Sequence, residues 1–225
     1  MMPFFIDMNK ILNIRLKNEN YAIIDFESGA SLTVPKMLVY EMGLRKGDEV
    51  TAATIASLQK ENELFSCEHK ALDYLSRRIH SALELKRKLL QKGFPKEIIE
   101  EVIIKMKSLN YLNDKKFAEL LVSESLNLRH EGAQKIRGRL IEKGISKEVI
   151  QEVLSGNELD SLEDQNIKIV ADKKLFSLEK RFKDKREVNR KLTAFLVSRG
   201  FSFQLIKNYL RNIEQESDLD GDLTD

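Results

Sequence analysis

The sequence predicts a mostly α-helical protein, an elongated array of three tandem three-helix repeats preceded by a small antiparallel β-containing segment. Three observations carry that prediction. A phrase recurs as LLQKGFPKEIIEEVI from Leu89, LIEKGISKEVIQEVL from Leu140 and LVSRGFSFQLIKNYL from Leu196, with Gly93, Gly144 and Gly200 spaced 51 and 56 residues apart. Such self-similarity marks one supersecondary unit stacked in tandem. The composition, 33% charged with no Trp and 3 Pro in 225 residues, suits exposed, uninterrupted helices. Finally, the apolar period is close to two between residues 10 and 55 and turns helical from Glu61 onward.

Taken in order, residues 1–60 read as a β-rich domain. ILNIRLKN alternates Ile11, Asn13 and Arg15 against Leu12, Ile14 and Leu16, and YAIIDF and SLTVP follow, separated by Asn18–Asn20 and by the Glu27-Ser28-Gly29 turn. Pro35 opens a short helix closed by Gly43, Leu44–Gly47 turns, and Asp48–Thr54 supplies a last strand or leads into a helix. So small a sheet is marginal alone and is expected to lean on the helices after it.

Repeat one occupies 61–110, with helices around Cys67–Arg78, Ser81–Lys92 and Pro95–Leu109. Repeat two, 111–157, places them near Asp114–Leu128, Gly132–Lys143 and Ser146–Leu154. Repeat three, 158–213, has a longer first helix within Leu162–Phe182, then Lys185–Ser198 and Ser202–Ile213, and 214–225 reads as a disordered acidic tail. The recurring glycine stands where a helix ends in a left-handed residue. Phe94, Ile145 or Phe201 then packs back on the last turn, and Pro95, Ser146 or Ser202 starts the next helix.

Several functions find no support in these residues. One cysteine, Cys67, permits no internal disulfide, and no stretch has the pattern of a signal peptide or the roughly 20 apolar residues of a membrane helix. A cytoplasmic protein without membrane association is the expectation. Cys67 and His69 are too few to hold a metal, and GLRKGD from Gly43 lacks the length and the Lys-Ser/Thr of a phosphate-binding loop. Asp218, Asp220, Gly221 and Asp222 resemble half a calcium loop without its Glu or exit helix. No Ser, Cys or His sits in a recognisable nucleophile setting, so a protein that is not an enzyme and uses no cofactor is expected.

Charge is more informative. Residues 158–213 hold 13 basic and 8 acidic residues, whereas 214–225 hold 6 acidic and no basic ones. A basic helical part is what meets a polyanion, and the tail is expected to compete for the same surface. On the second helix of each repeat, Lys86, Arg87 and Lys88, then Arg137 and Arg139, then Arg190 and Lys191 flank the apolar stripe and are expected near solvent. They read either as a solvated face or as a continuous basic stripe. Arg77, Arg78 and His80 either cap their helix or extend that stripe. Arg181, Lys183, Lys185 and Arg186, with Phe182 among them, have the density of a phosphate contact, or of a solvated loop.

Leu75, Arg78, Ser81, Glu84 and Leu85, then Tyr111, Leu112, Asp114, Phe117 and Ala118, then Gly132, Ile136, Leu140, Lys143, Gly144 and Ile145 together resemble the pattern of the RecX family, regulators of the RecA recombinase. The resemblance is clear from Cys67 to Leu154 and holds in outline beyond. It departs at His80, where the family usually carries Arg, so a contact there would be weaker and pH-dependent. The resemblance implies a protein that lies in the groove of the RecA filament on single-stranded DNA and inhibits recombinase, ATPase and coprotease functions. Its expected partners are the RecA nucleoprotein filament and single- or double-stranded DNA. Two rival readings stay open. One is a free-standing duplex-DNA binder using angled helix pairs, against which the third helices lack Gln, Asn or Arg clusters at their starts. The other is a scaffold that binds only protein.

Overall fold

The computed structural model describes residues 8–221. Strands β1 (Met8–Leu16), β2 (Tyr21–Phe26), β3 (Ser31–Pro35) and β4 (Glu49–Thr51) form one antiparallel sheet in the order β3-β2-β1-β4. Alternation on β2 buries Ala22, Ile24 and Phe26 against Val34, Val50 and Leu58. Strict alternation fails on β1. A bulge between Ile11 and Asn13 shifts the register, so Ile11 is buried, Ile14 packs against the same core, and Leu12 and Leu16 face solvent. One extra residue moves the rest of a strand to the other face.

After the short helix α1 (Lys36–Glu41), β4 leads straight into α2 (Ala52–Arg77). Thr51 caps it, accepting from the backbone N–H of Thr54 at 3.2 Å. The expected break near residue 60 and helix start at Cys67 are therefore corrected. No Gly or Pro interrupts 52–77, and one continuous helix puts Leu58 into the core of the sheet and buries Cys67 and Ala71 further along. Tyr21 of β2 meets Phe65 edge-on at 6.1 Å, so the sheet does lean on this helix.

Two compact units result, one taking the chain up to His80 with Glu84–Leu112, the other Ser81–Leu83 with Asn113 onward. The repeats comprise α2, α3 (Ala82–Gln91) and α4 (Lys96–Ser108); α5 (Asp114–Asn127), α6 (Ala133–Glu142) and α7 (Lys147–Val153); and α8 (Asn157–Glu179), α9 (Lys185–Ser198) and α10 (Phe203–Gly221). The expected disordered tail is corrected in part, since α10 runs eight residues past Ile213 to Gly221. Nothing between Phe203 and Gly221 breaks a helix. The remainder of that tail, and the acid at position 222 of the half calcium loop, lie outside the described residues.

The recurring turn is the same in all three repeats. Gly93, Gly144 and Gly200 have φ of 87°, 74° and 93°. The N–H groups of Phe94, Ile145 and Phe201 reach back to the carbonyls of Leu89, Leu140 and Leu196 at 3.4, 3.1 and 3.2 Å. Each glycine also donates to the carbonyl three residues earlier, which completes a Schellman closure.

Two of these glycines do more than end a helix. Around Gly200, the N–H of Gly132 donates to the Arg199 carbonyl at 2.9 Å and that of Gln134 to the Gly200 carbonyl at 3.0 Å. The C-terminal turn of α9 thus sits on the N-terminus of α6. Gly144 in turn packs on Leu83, while Ser81 Oγ donates to the Lys143 carbonyl at 2.7 Å, repeating the contact at the start of α3. A carboxylate from the first helix of the following repeat caps each of these starts. Asp114 accepts from Ala82 N at 2.8 Å and Glu163 from Ala133 N at 2.9 Å. Burial pushes the Glu163 carboxyl above its ordinary range despite that bond, with Asp160 and Asp164 adding to the rise. The start of α9 is capped by its own Asp184, accepting from Arg186 N at 3.0 Å.

Candidate nucleic-acid interface

Aligning the repeats on their glycines puts Lys86, Arg137 and Thr193 at one position of the second helix, and Lys88, Arg139 and Phe195 two residues later. This later position faces the first helix of its own repeat every time. Lys88 lies over the Tyr74 ring at 4.7 Å, Arg139 donates to Ser125 Oγ at 2.8 Å, and Lys174 lies over the Phe195 ring at 5.1 Å. Arg139 also pairs with Glu131 at 2.9 Å, and that carboxylate is 7% exposed. Burial pushes the Glu131 carboxyl up, but Arg139 and Lys135 outweigh it and hold the group below its ordinary range. The expectation that Arg139 flanks the core near solvent is thereby corrected. Its guanidinium neutralises an internal acid.

The rest of the proposed stripe divides in a similar way. Lys86 pairs with Glu100 of α4, and Arg87 is exposed. Arg77 pairs with Asp73 at 2.8 Å, and Arg78 bonds the Ile79 carbonyl at 2.9 Å and Glu84 at 3.1 Å. These contacts favour the helix-end reading for both arginines. His80 is 2% exposed, so its ring is not presented to a partner. Nδ1 lies 2.9 Å from the Arg78 carbonyl and Nε2 has no partner among the described residues; burial lowers its pKa. Arg190 and Lys191 are on the expected helix but about one turn before the equivalents of Lys86 and Lys88, which breaks the stripe in the third repeat. Lys191 pairs with Glu187 at 3.5 Å and lies over the Phe182 ring at 4.5 Å.

Cations without an ion pair to any described residue collect elsewhere. Arg137 is one. Arg181, Lys183, Lys185, Arg186 and Arg190 are exposed around the end of α8 and the start of α9. Lys183, Lys185 and Arg186 rim a groove of about 690 Å³ whose walls include Leu175, Phe182 and Leu210, with one carboxylate, Glu179, among the three cations. Arg186 and Arg190 lie one turn apart on α9. The sequence missed Lys207 and Arg211 of α10, also exposed and unpaired among the described residues. Their four-residue spacing after exposed Phe203 was the available signal.

Among the described residues no group of three or more His, Cys, Asp or Glu is placed to hold a metal, and no helix is long and apolar enough to cross a membrane. Cys67 is buried, which raises its thiol pKa to about 11, and the His69 ring packs on Phe65 at 4.2 Å. Arg45 N donates to Asp48 Oδ2 at 2.7 Å, so GLRKGD is a side-chain-closed turn.

Comparison with known proteins gives this arrangement its family. Models of the first, second and third three-helix domains of RecX match residues 67–106, 113–154 and 162–210. The regulatory protein RecX of Clostridium perfringens is 30% identical over 208 residues, which is 92% of this chain and 97% of that one. This chain belongs to the RecX family. RecX of Clostridium acetobutylicum is 32% identical over 183 residues, 80% of this chain and 84% of that protein. A crystal structure of RecX from Lactobacillus salivarius superposes with a TM-score of 0.61 at 25% identity, covering 69% of this chain and 99% of the other. A second RecX crystal structure, at 22% identity, shares the fold with a TM-score of 0.73 over 88% of this chain. The first RecX domain begins at Cys67, well inside α2, so the sheet and the opening turns of that helix precede the three-domain match. The unpaired basic cluster falls within the third RecX domain, and Arg137 within the second.

Proposed function

We propose that this RecX-family regulatory protein binds the RecA filament on single-stranded DNA and inhibits RecA's recombinase, ATPase and coprotease activities. In this reading the third repeat supplies the main electrostatic contact. The observation that carries it is the division of the basic residues. Arg77, Arg78, Lys86, Lys88, Arg139 and Lys191 are engaged by partners within the chain, whereas Arg181, Lys183, Lys185, Arg186 and Arg190 are exposed without ion pairs to described residues. A surplus of unpaired cations around one groove attracts a polyanion and releases its counterions on contact.

RecA's DNA-dependent ATP hydrolysis tests the proposal. Stoichiometric wild-type protein is expected to suppress it, and replacing Lys183, Lys185, Arg186 and Arg190 together with Ala is expected to relieve most of that suppression. Unchanged hydrolysis with the wild-type protein refutes the reading. Full suppression by the fourfold variant refutes the assignment of the surface.

A further inference from the structure

A second surface of the third repeat combines an unoccupied aromatic ring with cations. Phe203, in the first turn of α10, is 71% exposed, and neither a ring nor a cation among the described residues packs on it. Exposed Phe176, by contrast, already has Lys180 over its ring at 4.0 Å. Lys207 and Arg211 follow Phe203 at successive four-residue steps, so the three side chains lie along one face of α10. They line a groove of about 480 Å³ floored by Ile206 and Leu210 and bounded by Thr193 of α9. Among the described residues, no acidic side chain lines it. Arg190 stands one turn before Thr193 on α9.

We propose that this groove is a track for single-stranded nucleic acid, in which Phe203 stacks on a base and Lys207 and Arg211 contact the neighbouring phosphates. The inference rests on the filament reading and adds to it a site for the exposed strand. Its occupant follows from the chemistry. An aromatic face accepts any base by stacking, and cations spaced about 6 Å apart along a helix suit successive phosphates of an extended strand. Ser202 fixes the platform, its Oγ accepting from Leu205 N at 3.2 Å to close the start of α10.

Because the chain has no Trp, Phe203→Trp places a unique fluorophore at the site. Adding a short dT oligonucleotide to the full-length variant is expected to quench its emission saturably, at the concentrations where anisotropy reports binding to the wild type. Phe203→Ala is expected to weaken binding about tenfold without changing the salt slope. Lys207→Ala is expected to reduce the slope of log K against log salt by about 0.7. An unaltered thermal midpoint in Phe203→Ala, expected for so exposed a side chain, shows that the variant is folded.

Indole emission from Phe203→Trp that stays unquenched at saturation, or wild-type oligonucleotide affinity in Phe203→Ala, overturns the proposal. So does a Phe203→Ala protein that loses suppression of RecA but keeps its oligonucleotide affinity, which makes Phe203 a protein contact. In each of these cases the filament reading survives if the wild type still suppresses RecA. Quenching by DNA without any effect on RecA sinks the filament reading and leaves the track standing.

Discussion

Gly132→Ala isolates the packing between the second and third repeats from backbone strain. Gly132 has φ −78° and ψ 158°, which any residue adopts, so a methyl group there acts only through space. That methyl would lie 2.3 Å from the carbonyl carbon and oxygen of Gly200 and 2.5 Å from Phe201 N, all backbone atoms. Ordinary contact requires about 3.5 Å, so the α9 turn and the α6 N-terminus must part by roughly 1 Å. Such a shift breaks the 2.9 Å and 3.0 Å hydrogen bonds from Gly132 and Gln134. Two bonds at about 1 kcal/mol each, with about 1 to 3 kcal/mol for overpacking, give a loss of about 3 to 5 kcal/mol.

Gly93→Ala is the control, since a methyl there meets nothing within 4 Å and suffers only its φ of 87°, worth roughly 1 to 2 kcal/mol. Urea unfolding supplies the stabilities, and amide exchange at Gly132 and Gln134 reports the junction itself. Gly132→Ala is expected to be the more damaging and to accelerate exchange at Gln134. A Gly132→Ala protein as stable as Gly93→Ala refutes the close-packing account.

Arg139→Ala leaves the buried Glu131 carboxylate with Lys135 alone, at 3.4 Å, and should destabilise by about 2 kcal/mol in urea melts, whereas exposed Arg137→Ala should change stability by less than about 0.5 kcal/mol; similar losses for the two would contradict the pairing of Arg139 with a buried acid. His80 should make stability fall as pH drops below 6.5, its ordinary pKa, because its folded pKa is lowered and the unfolded chain takes the proton first. A pH series of urea midpoints checks this, and His80→Gln should flatten that window while leaving the loss below about pH 4.5, where Glu131 begins to protonate in the unfolded chain. Buried Cys67, with its thiol raised to about 11, should resist a thiol reagent at pH 8 until the chain unfolds; rapid labelling of the native protein would show that α2 opens.

The helices were legible because each signal was local. Apolar spacing, the recurring glycines and the starts at Pro95, Ser146 and Ser202 placed eight of the nine repeat helices, with α8 begun at Asn157, ahead of the expected Leu162, and α10 extended at its end. The start of α2 was hidden because Thr51, Thr54 and Ile55 have strand-like side chains, and tertiary packing against the sheet decides their state. The β1 bulge leaves no trace in composition. Among the candidate contacts, sequence supplied charge but not direction. Lys88 and Arg139 look as solvent-facing as Arg137 until the first helix of each repeat is set beside them. The second role of Gly144 and Gly200 was likewise out of reach, since it depends on Leu83 and Gly132, distant residues that the fold brings to the same turn.

Co-sedimentation with RecA filaments preassembled on single-stranded DNA tests the central claim most directly. The wild-type protein should pellet with the filament at a saturating ratio, and replacing Lys183, Lys185, Arg186 and Arg190 with Ala should release it at moderate salt. Wild-type protein left in the supernatant, or a fourfold variant that pellets as the wild type does, would contradict the account.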